Sequence, residues 1–144
     1  MNKTYFTLLS FFFIVLFSSC KKDVDNTPKI SLTGTSTISV TEGQSVTISL
    51  SYSDADGDLG ENTSNATNLY LTDNRVNVVY KYRIQQLAPS GESIGIKGNL
   101  NIVVTGLTIT DGSSSQNVTY SVYVKDRAGN QSNSVTTGSI NIHH

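Results

Sequence analysis

The 144-residue sequence predicts an all-β protein, an antiparallel β-sandwich of seven to eight strands. From position 29 onward, apolar and polar residues alternate with a period of two, which is typical of strands buried on one face. No stretch shows the 3.6-residue period of an amphipathic helix. After Cys20 there is no Phe, Trp or Met, so the core must be built from Val, Ile, Leu and Tyr, a composition that favours strands.

The alternation predicts the strands in chain order. They cover residues 30–32, 38–40, 46–52, 69–71, 76–84, 96–105, 118–124 and 135–142. Turn-forming residues separate them, as at Glu42-Gly43-Gln44. Tyr80 and Tyr82 share the apolar face of their strand, so we expect both in the core. Val135 and Ile140 have opposite parity, so a bulge is expected near Gly138.

Three motifs resemble those of immunoglobulin-like domains. The stretch Val40-x-Glu42-Gly43-x-Ser45-Val46-x-Ile48-x-Leu50 resembles the passage between strands A′ and B. The stretch Tyr120-x-Val122-x-Val124-x-Asp126 resembles strand F, with Tyr120 placed like a corner tyrosine. Asp126-Arg127-Ala128-Gly129-Asn130 is similar to the F–G turn of bacterial Ig-like and fibronectin-III-like modules. The resemblance implies an Ig-like sandwich over residues 29–142, without the tryptophan and disulfide of antibody domains.

The first twenty residues have the three parts of a secretory signal. Lys3 gives the positive region, residues 6–17 are a run of twelve broken only by Thr7 and Ser10, and two serines precede Cys20. The run is short of the ~20 apolar residues that a membrane-spanning helix needs. We therefore predict a signal peptide over residues 1–19, with cleavage before Cys20.

Ser18-Ser19-Cys20 resembles the lipobox of bacterial lipoproteins, although Phe17 stands where that pattern prefers an aliphatic residue. With Ser53–Gly60 and Lys125–Asn133, it gives the chain a resemblance to uncharacterised outer-membrane lipoproteins of the Bacteroidota. The resemblance implies acylation, including palmitate, on Cys20, a tether over residues 20–28, and an outer-membrane anchor. The charged residues after Cys20 favour a domain that faces the cell surface, and the alternative is one that faces the periplasm. The alternatives are an ordinary signal peptide with a stray cysteine, or an N-terminal membrane anchor.

Asp54, Asp56 and Asp58 alternate along one glycine-containing turn. Ca²⁺ takes six to eight oxygen ligands, so three converging carboxylates predict a calcium site. Asp126 and Asn130 are expected to complete it, because the B–C and F–G loops of a sandwich lie at the same end. The alternative is that these residues are simply turn formers whose carboxylates cap local amides.

Catalysis is not expected from this sequence. The only histidines are His143 and His144, at a chain end that we expect to be loose, and Cys20 is the only cysteine. Nucleophile–histidine pairs and zinc sites with nitrogen or sulfur ligands therefore lack their residues. A formal net charge of −1 argues against nucleic acid as a partner.

The predicted function is a lipid-anchored, non-catalytic Ig-like module of the bacterial envelope, for adhesion, recognition or envelope assembly. Its membrane contact is the anchor, and its edge strands and loops would contact a protein or glycan. The alternative is a Ca²⁺-dependent accessory lipoprotein that binds a carbohydrate or small ligand. The candidates for stacking on a sugar are four tyrosines, Tyr70, Tyr80, Tyr82 and Tyr123. The absence of Trp after Cys20 disfavours carbohydrate binding.

Overall fold

A computed structural model describes residues 25–144. It contains ten strands, β1 (Lys29–Thr35), β2 (Ser39–Thr41), β3 (Val46–Asp54), β4 (Leu69–Asp73), β5 (Val78–Tyr82), β6 (Ile96–Val104), β7 (Ser115–Val118), β8 (Tyr120–Val124), β9 (Val135–Thr136) and β10 (Ile140–His143). Within these residues no helix is long and apolar enough to cross a membrane. The predicted signal peptide and Cys20 lie outside the described residues, so both stay predictions.

The strands form two packed layers. One has the order β1-β3-β6, and the other is built from the groups β5-β4-β8-β9 and β2-β10-β7. The two groups continue into each other, because only Thr119 separates β7 from β8 and three residues separate β9 from β10. The N–H of Thr137 donates to the carbonyl of Tyr120 at 2.9 Å across this break. All pairings are antiparallel except that of β2 with β10.

The predicted β-sandwich is confirmed, with ten strands instead of seven or eight. The predicted strand 135–142 is divided into β9 and β10. The predicted strand 118–124 corresponds to β8, and β7 is an additional strand that shares only Val118 with the prediction. A bulge was expected near Gly138, but the strand is interrupted there instead, since β9 ends at Thr136 and β10 begins at Ile140.

The core lies between the layers and follows the predicted alternation. Val46, Ile48 and Leu50 of β3 are fully buried, as are Val122 and Val124 of β8. The burial of one such side chain contributes roughly 1.5–3 kcal/mol relative to its exposed state. The intervening residues of β3 and β8 are half-buried, as the period of two requires.

Strand β5 departs from the prediction. Tyr80 was expected in the core, but 42% of its surface is exposed, and Val78 on the same face is 44% exposed. Tyr82 is half-buried and Ile84 is buried, so only the later part of the segment reaches the interior. The reason is position, because β5 is the outermost strand of its layer and nothing in the described chain pairs with its far side.

The C-terminus also differs from the loose end that was expected. His143 lies in β10, where it pairs with Thr41 of β2, and its Nδ1 lies 2.9 Å from the carbonyl oxygen of Val40. The N–H of Glu42 donates to the carbonyl of His143 at 2.8 Å. Parallel pairing with β2, which alternation alone does not reveal, holds the end of the chain.

The direction of the strands gives the molecule two distinct ends. β3 ends at Asp54, next to the start of β1, because Lys29 pairs with Ser53. Asn133 reaches the same end, where its side chain bonds both the N–H and the carbonyl of Ile30, at 3.0 and 2.8 Å. We call this the entry end, since the chain enters the domain there. The residues that join β4 to β5 and β6 to β7 lie at the opposite, distal end.

Candidate metal centre

The 54–60 loop leaves β3 at the entry end and is tightly held. Asp54 is buried, and its Oδ2 accepts a hydrogen bond from the N–H of fully buried Leu59 at 2.8 Å. Gly57 has a φ of 76°, and a Cβ on it would lie 2.2 Å from the carbonyl oxygen of Ile94. Gly60, with a φ of 88°, is as close to the carbonyl of Gln85. Only glycine fits these two positions.

This folding brings the three predicted carboxylates together. Asp54, Asp56 and Asp58 each offer a carboxylate oxygen, and these oxygens lie within 4.8 Å of one another. In all three residues the Oδ1 atom is buried and has no hydrogen-bond partner among the described residues. A buried carboxylate oxygen without a donor is costly, and nearly all such groups in proteins are partnered. The loop therefore assembles negative charge that its own polar groups do not neutralise.

The electrostatics of the loop agree with this geometry. Burial raises the pKa of Asp54, and the negative charges of Asp56 and Asp58 raise it further, against the lowering effect of the Leu59 N–H. Burial also raises the pKa of Asp58, together with the charges of Asp126 and Asp56. A cation among these carboxylates would relieve both the desolvation and the repulsion.

Asp126 and Asn130, the other predicted ligands, are near but are not part of the group of three. Asp126 accepts from Asn130 at both oxygens, with Oδ1 bonded to the backbone N–H at 2.7 Å and Oδ2 to the side-chain amide at 2.9 Å. The turn they form docks on the 54–60 loop. The N–H of Ala128 donates to Asp58 Oδ2 at 3.0 Å, and Arg127 Nη1 donates to the Gly60 carbonyl at 2.8 Å.

Turn formation explains part of this arrangement only. It accounts for Asp54 Oδ2 and Asp58 Oδ2, which accept backbone N–H groups. It does not account for the three buried Oδ1 atoms. The chemistry that fits them is ligation of a hard cation, since all the donors are oxygen.

Two further features were not predicted from the sequence. Tyr70 and Tyr123 stack on the outer face of the sheet, with ring centroids 4.7 Å apart and planes at 7°, and Lys125 Nζ lies 5.7 Å from the Tyr70 centroid. The two rings stack on each other across paired strands, so one face of each ring is covered and cannot contact a sugar. This weakens the sugar-stacking hypothesis. Tyr123 is half-buried.

The second feature is a run of exposed apolar residues at β5. Val76, Val78, Val79 and Tyr80 are each exposed over 42–45% of their surface. The signal was present in the sequence, because Val79 is apolar on the face that Lys81 and Arg83 mark as solvated.

Compared with known proteins, the chain matches no protein-family model. A search of curated proteins also found no similar sequence.

Proposed function

We propose that this protein is a lipid-anchored, non-catalytic recognition module of a bacterial envelope, and that it binds a protein partner along the edge of β5. The observation that carries the proposal is the exposed apolar edge formed by Val76, Val78, Val79 and Tyr80. We call this surface the β5 edge.

An unpaired edge strand presents backbone N–H and C=O groups to any extended chain that can reach it. Natural proteins usually protect such edges with charges, proline or bulges. Within β5 itself, only Lys81 provides a charge and there is no proline. An extended segment of a partner could add as a further strand, with main-chain hydrogen bonds giving affinity and alternate side-chain pockets giving specificity.

A cleft next to Tyr82, the last residue of β5, offers further contacts to a partner strand that extends past the β5 edge. It lies between the end of β5 and the neighbouring edge strand β6, with a volume of about 410 Å³. Apolar side chains contribute to its lining, among them Leu69, Ile84, Leu87, Leu100 and Ile102. Val103 of β6, 52% exposed, lies in the same wall. Alternate side chains of an added strand would find apolar contacts there.

The lipid anchor rests on the sequence around Cys20. A tether over residues 21–28 spans up to roughly 28 Å when extended, enough to hold the domain off a membrane. We expect Cys20→Ser to abolish incorporation of labelled palmitate in the producing bacterium, because the acylated thiol is gone. Continued labelling of the variant would refute the anchor.

The β5 edge is tested by a charge placed on it. We expect Val79→Lys to abolish capture of an envelope protein by the purified protein, because a lysine opposes strand addition. Ile38→Lys is the matched control, since Ile38 is 74% exposed and lies outside β5. Equal capture by the wild type and both variants would show that the edge is not the contact surface.

A second function is favoured by the three carboxylates of the 54–60 loop. It is the binding of a carbohydrate or other small ligand through a Ca²⁺ ion held there. A glycan array probed in CaCl₂ and again in chelator separates the two functions. Hits that require Ca²⁺ support the second function, and an array without hits in either condition supports the protein-binding edge.

A further inference from the structure

We propose that Asp54, Asp56 and Asp58 bind one Ca²⁺ ion whose role is structural, and that the ion fastens the 54–60 loop to the 126–130 turn. This inference concerns the entry end and does not depend on the β5 edge.

Clusters of acidic residues are common on protein surfaces, and closeness of carboxylates alone does not make a cation site. The decisive group is Asp54, which is 3% exposed and whose Oδ1 has no partner among the described residues. The carboxylate of Asp54 belongs to the same cluster as those of Asp56 and Asp58, whose Oδ1 atoms are also buried and unpartnered. A folded protein keeps such a group when a ligand supplies the missing interaction.

The number of carboxylates favours Ca²⁺ over Mg²⁺. Ca²⁺ takes six to eight oxygen ligands at 2.3–2.6 Å, so two ligands of one ion can lie up to about 5 Å apart. The oxygens of Asp54, Asp56 and Asp58 lie within 4.8 Å of one another, which one Ca²⁺ ion can span. Mg²⁺ requires near-ideal octahedral geometry and is usually held by one or two carboxylates. Three carboxylates therefore suit Ca²⁺, whose variable coordination allows water to complete the shell.

The contacts of Asp58 would link the ion to the 126–130 turn. Asp58 Oδ2 accepts a hydrogen bond from the N–H of Ala128, and the Asp58 carbonyl accepts one from the N–H of Arg127 at 3.3 Å. Asp54 Oδ2 holds Leu59 in the same way. A cation that fixes the carboxylates of Asp54 and Asp58 through their Oδ1 atoms therefore also fixes both of these amides.

The first experiment measures binding and stability of the purified protein after treatment with chelator. We expect calorimetric titration with CaCl₂ to show one site. At 100 times Kd, the melting temperature should rise by about 10 °C, because a ligand that binds only the folded state stabilises it by mass action. MgCl₂ should give a clearly smaller shift. No shift with CaCl₂ would overturn the proposal, and an equal shift with MgCl₂ would overturn the assignment to Ca²⁺.

The matched variants are Asp56→Asn and Asp111→Asn. The Asp56→Asn substitution removes one carboxylate ligand but no hydrogen bond from a backbone N–H, since Asp54 and Asp58 accept those bonds. Asp111 is an exposed loop aspartate at the distal end. We expect Asp56→Asn to lose most of the Ca²⁺-dependent shift and Asp111→Asn to keep it. In chelator, Asp56→Asn should melt no lower than the wild type, because it relieves repulsion. A full Ca²⁺ response in Asp56→Asn would refute the site.

Hydrogen exchange tests the fastening role separately. Ca²⁺ should slow exchange of the Leu59 and Ala128 amides at least tenfold in the wild type and leave them unchanged in Asp56→Asn. Exchange at both amides that is insensitive to Ca²⁺, despite measured binding, would overturn the structural role.

Discussion

Arg75 makes the most extensive side-chain contacts of any single residue at the distal end. Its guanidinium bonds Asp73 at both carboxylate oxygens, at 3.1 and 2.7 Å. It also donates to the Thr108 carbonyl at 2.9 Å and to Gln116 Oε1 at 2.8 Å. The bonds to Asp73 are the main cause of its raised pKa. Because both charged side chains are nearly buried, the planar fork of arginine ties the β4–β5 turn to the loop before β7.

We predict that Arg75→Ala destabilises the protein by about 3 kcal/mol, because it leaves the buried Asp73 carboxylate unpaired. Arg75→Lys should recover less than half of the loss, since an ammonium cannot bridge both Asp73 oxygens and also reach Thr108 and Gln116. Arg83→Ala is the control. Arg83 is exposed and bonds only loop carbonyls, at 3.2 Å, so its loss should stay below about 1 kcal/mol. Urea unfolding measures all three. Equal losses at Arg75 and Arg83 would contradict the prediction.

Tyr120 gives a prediction for alkaline pH. The residue is 2% exposed, and burial, with the charge of Asp73, raises its pKa to about 12. The folded state therefore holds the phenolic proton more tightly than the unfolded state, whose tyrosine pKa is about 10. The stability from this group is complete below pH ~10 and falls by about 2–3 kcal/mol as the pH rises through 12. In Tyr120→Phe that decline should be absent. Unfolding curves that fall in parallel for both proteins between pH 9 and 12 would contradict it.

At the scale of elements, the alternation of apolar residues predicted most of the fold. It identified β3 and β8 because these strands have neighbouring strands along both edges and one face turned to the core, so parity decides burial. It failed for Tyr80, since parity does not tell whether another layer covers a strand at the edge. It also missed the pairing of β10 with β2, which depends on residues about a hundred positions apart.

The candidate site was predicted in part, because its three central residues are close in sequence. The three aspartates of the 54–60 loop are close in sequence, so turn chemistry alone brings them together. The prediction also placed the 126–130 turn correctly beside that loop. The sequence could not show that Asp126 accepts from Asn130 at both oxygens, because that depends on the backbone path of the turn.

The tight packing of the 54–60 loop gives a prediction for this element. We expect Gly57→Ala to cost more than 3 kcal/mol, since the new Cβ would lie 2.2 Å from the Ile94 carbonyl in addition to the strain of a positive φ. Gly43→Ala is the control, because Gly43 has a φ of 83° but open space around it, so only backbone strain of about 1 kcal/mol applies. Urea unfolding measures both. Similar losses would show that the loop can yield.

At the scale of the whole molecule, the two ends of the sandwich have different surroundings. The chain enters beside the 54–60 loop, so an anchor on Cys20 would place this end nearest the membrane. A structural ion suits that place better than a ligand-display site does. The distal end, with the loop before β7, would then point away from the membrane, and the β5 edge would run along the side.

This orientation gives the last prediction, which uses the single cysteine of the chain. If Cys20 is acylated, Ser114→Cys places the only free thiol on an exposed distal residue. If the domain also faces the cell surface, we expect a membrane-impermeant maleimide to label Ser114→Cys on intact cells. Ser64→Cys, on an exposed residue of the loop that leads into β4 at the entry end, should label more slowly, since the membrane shields that end. Both should label at equal rates in detergent extracts. Labelling of Ser114→Cys only after the outer membrane is permeabilised would place the domain in the periplasm, and equal rates for both variants on intact cells would contradict the orientation.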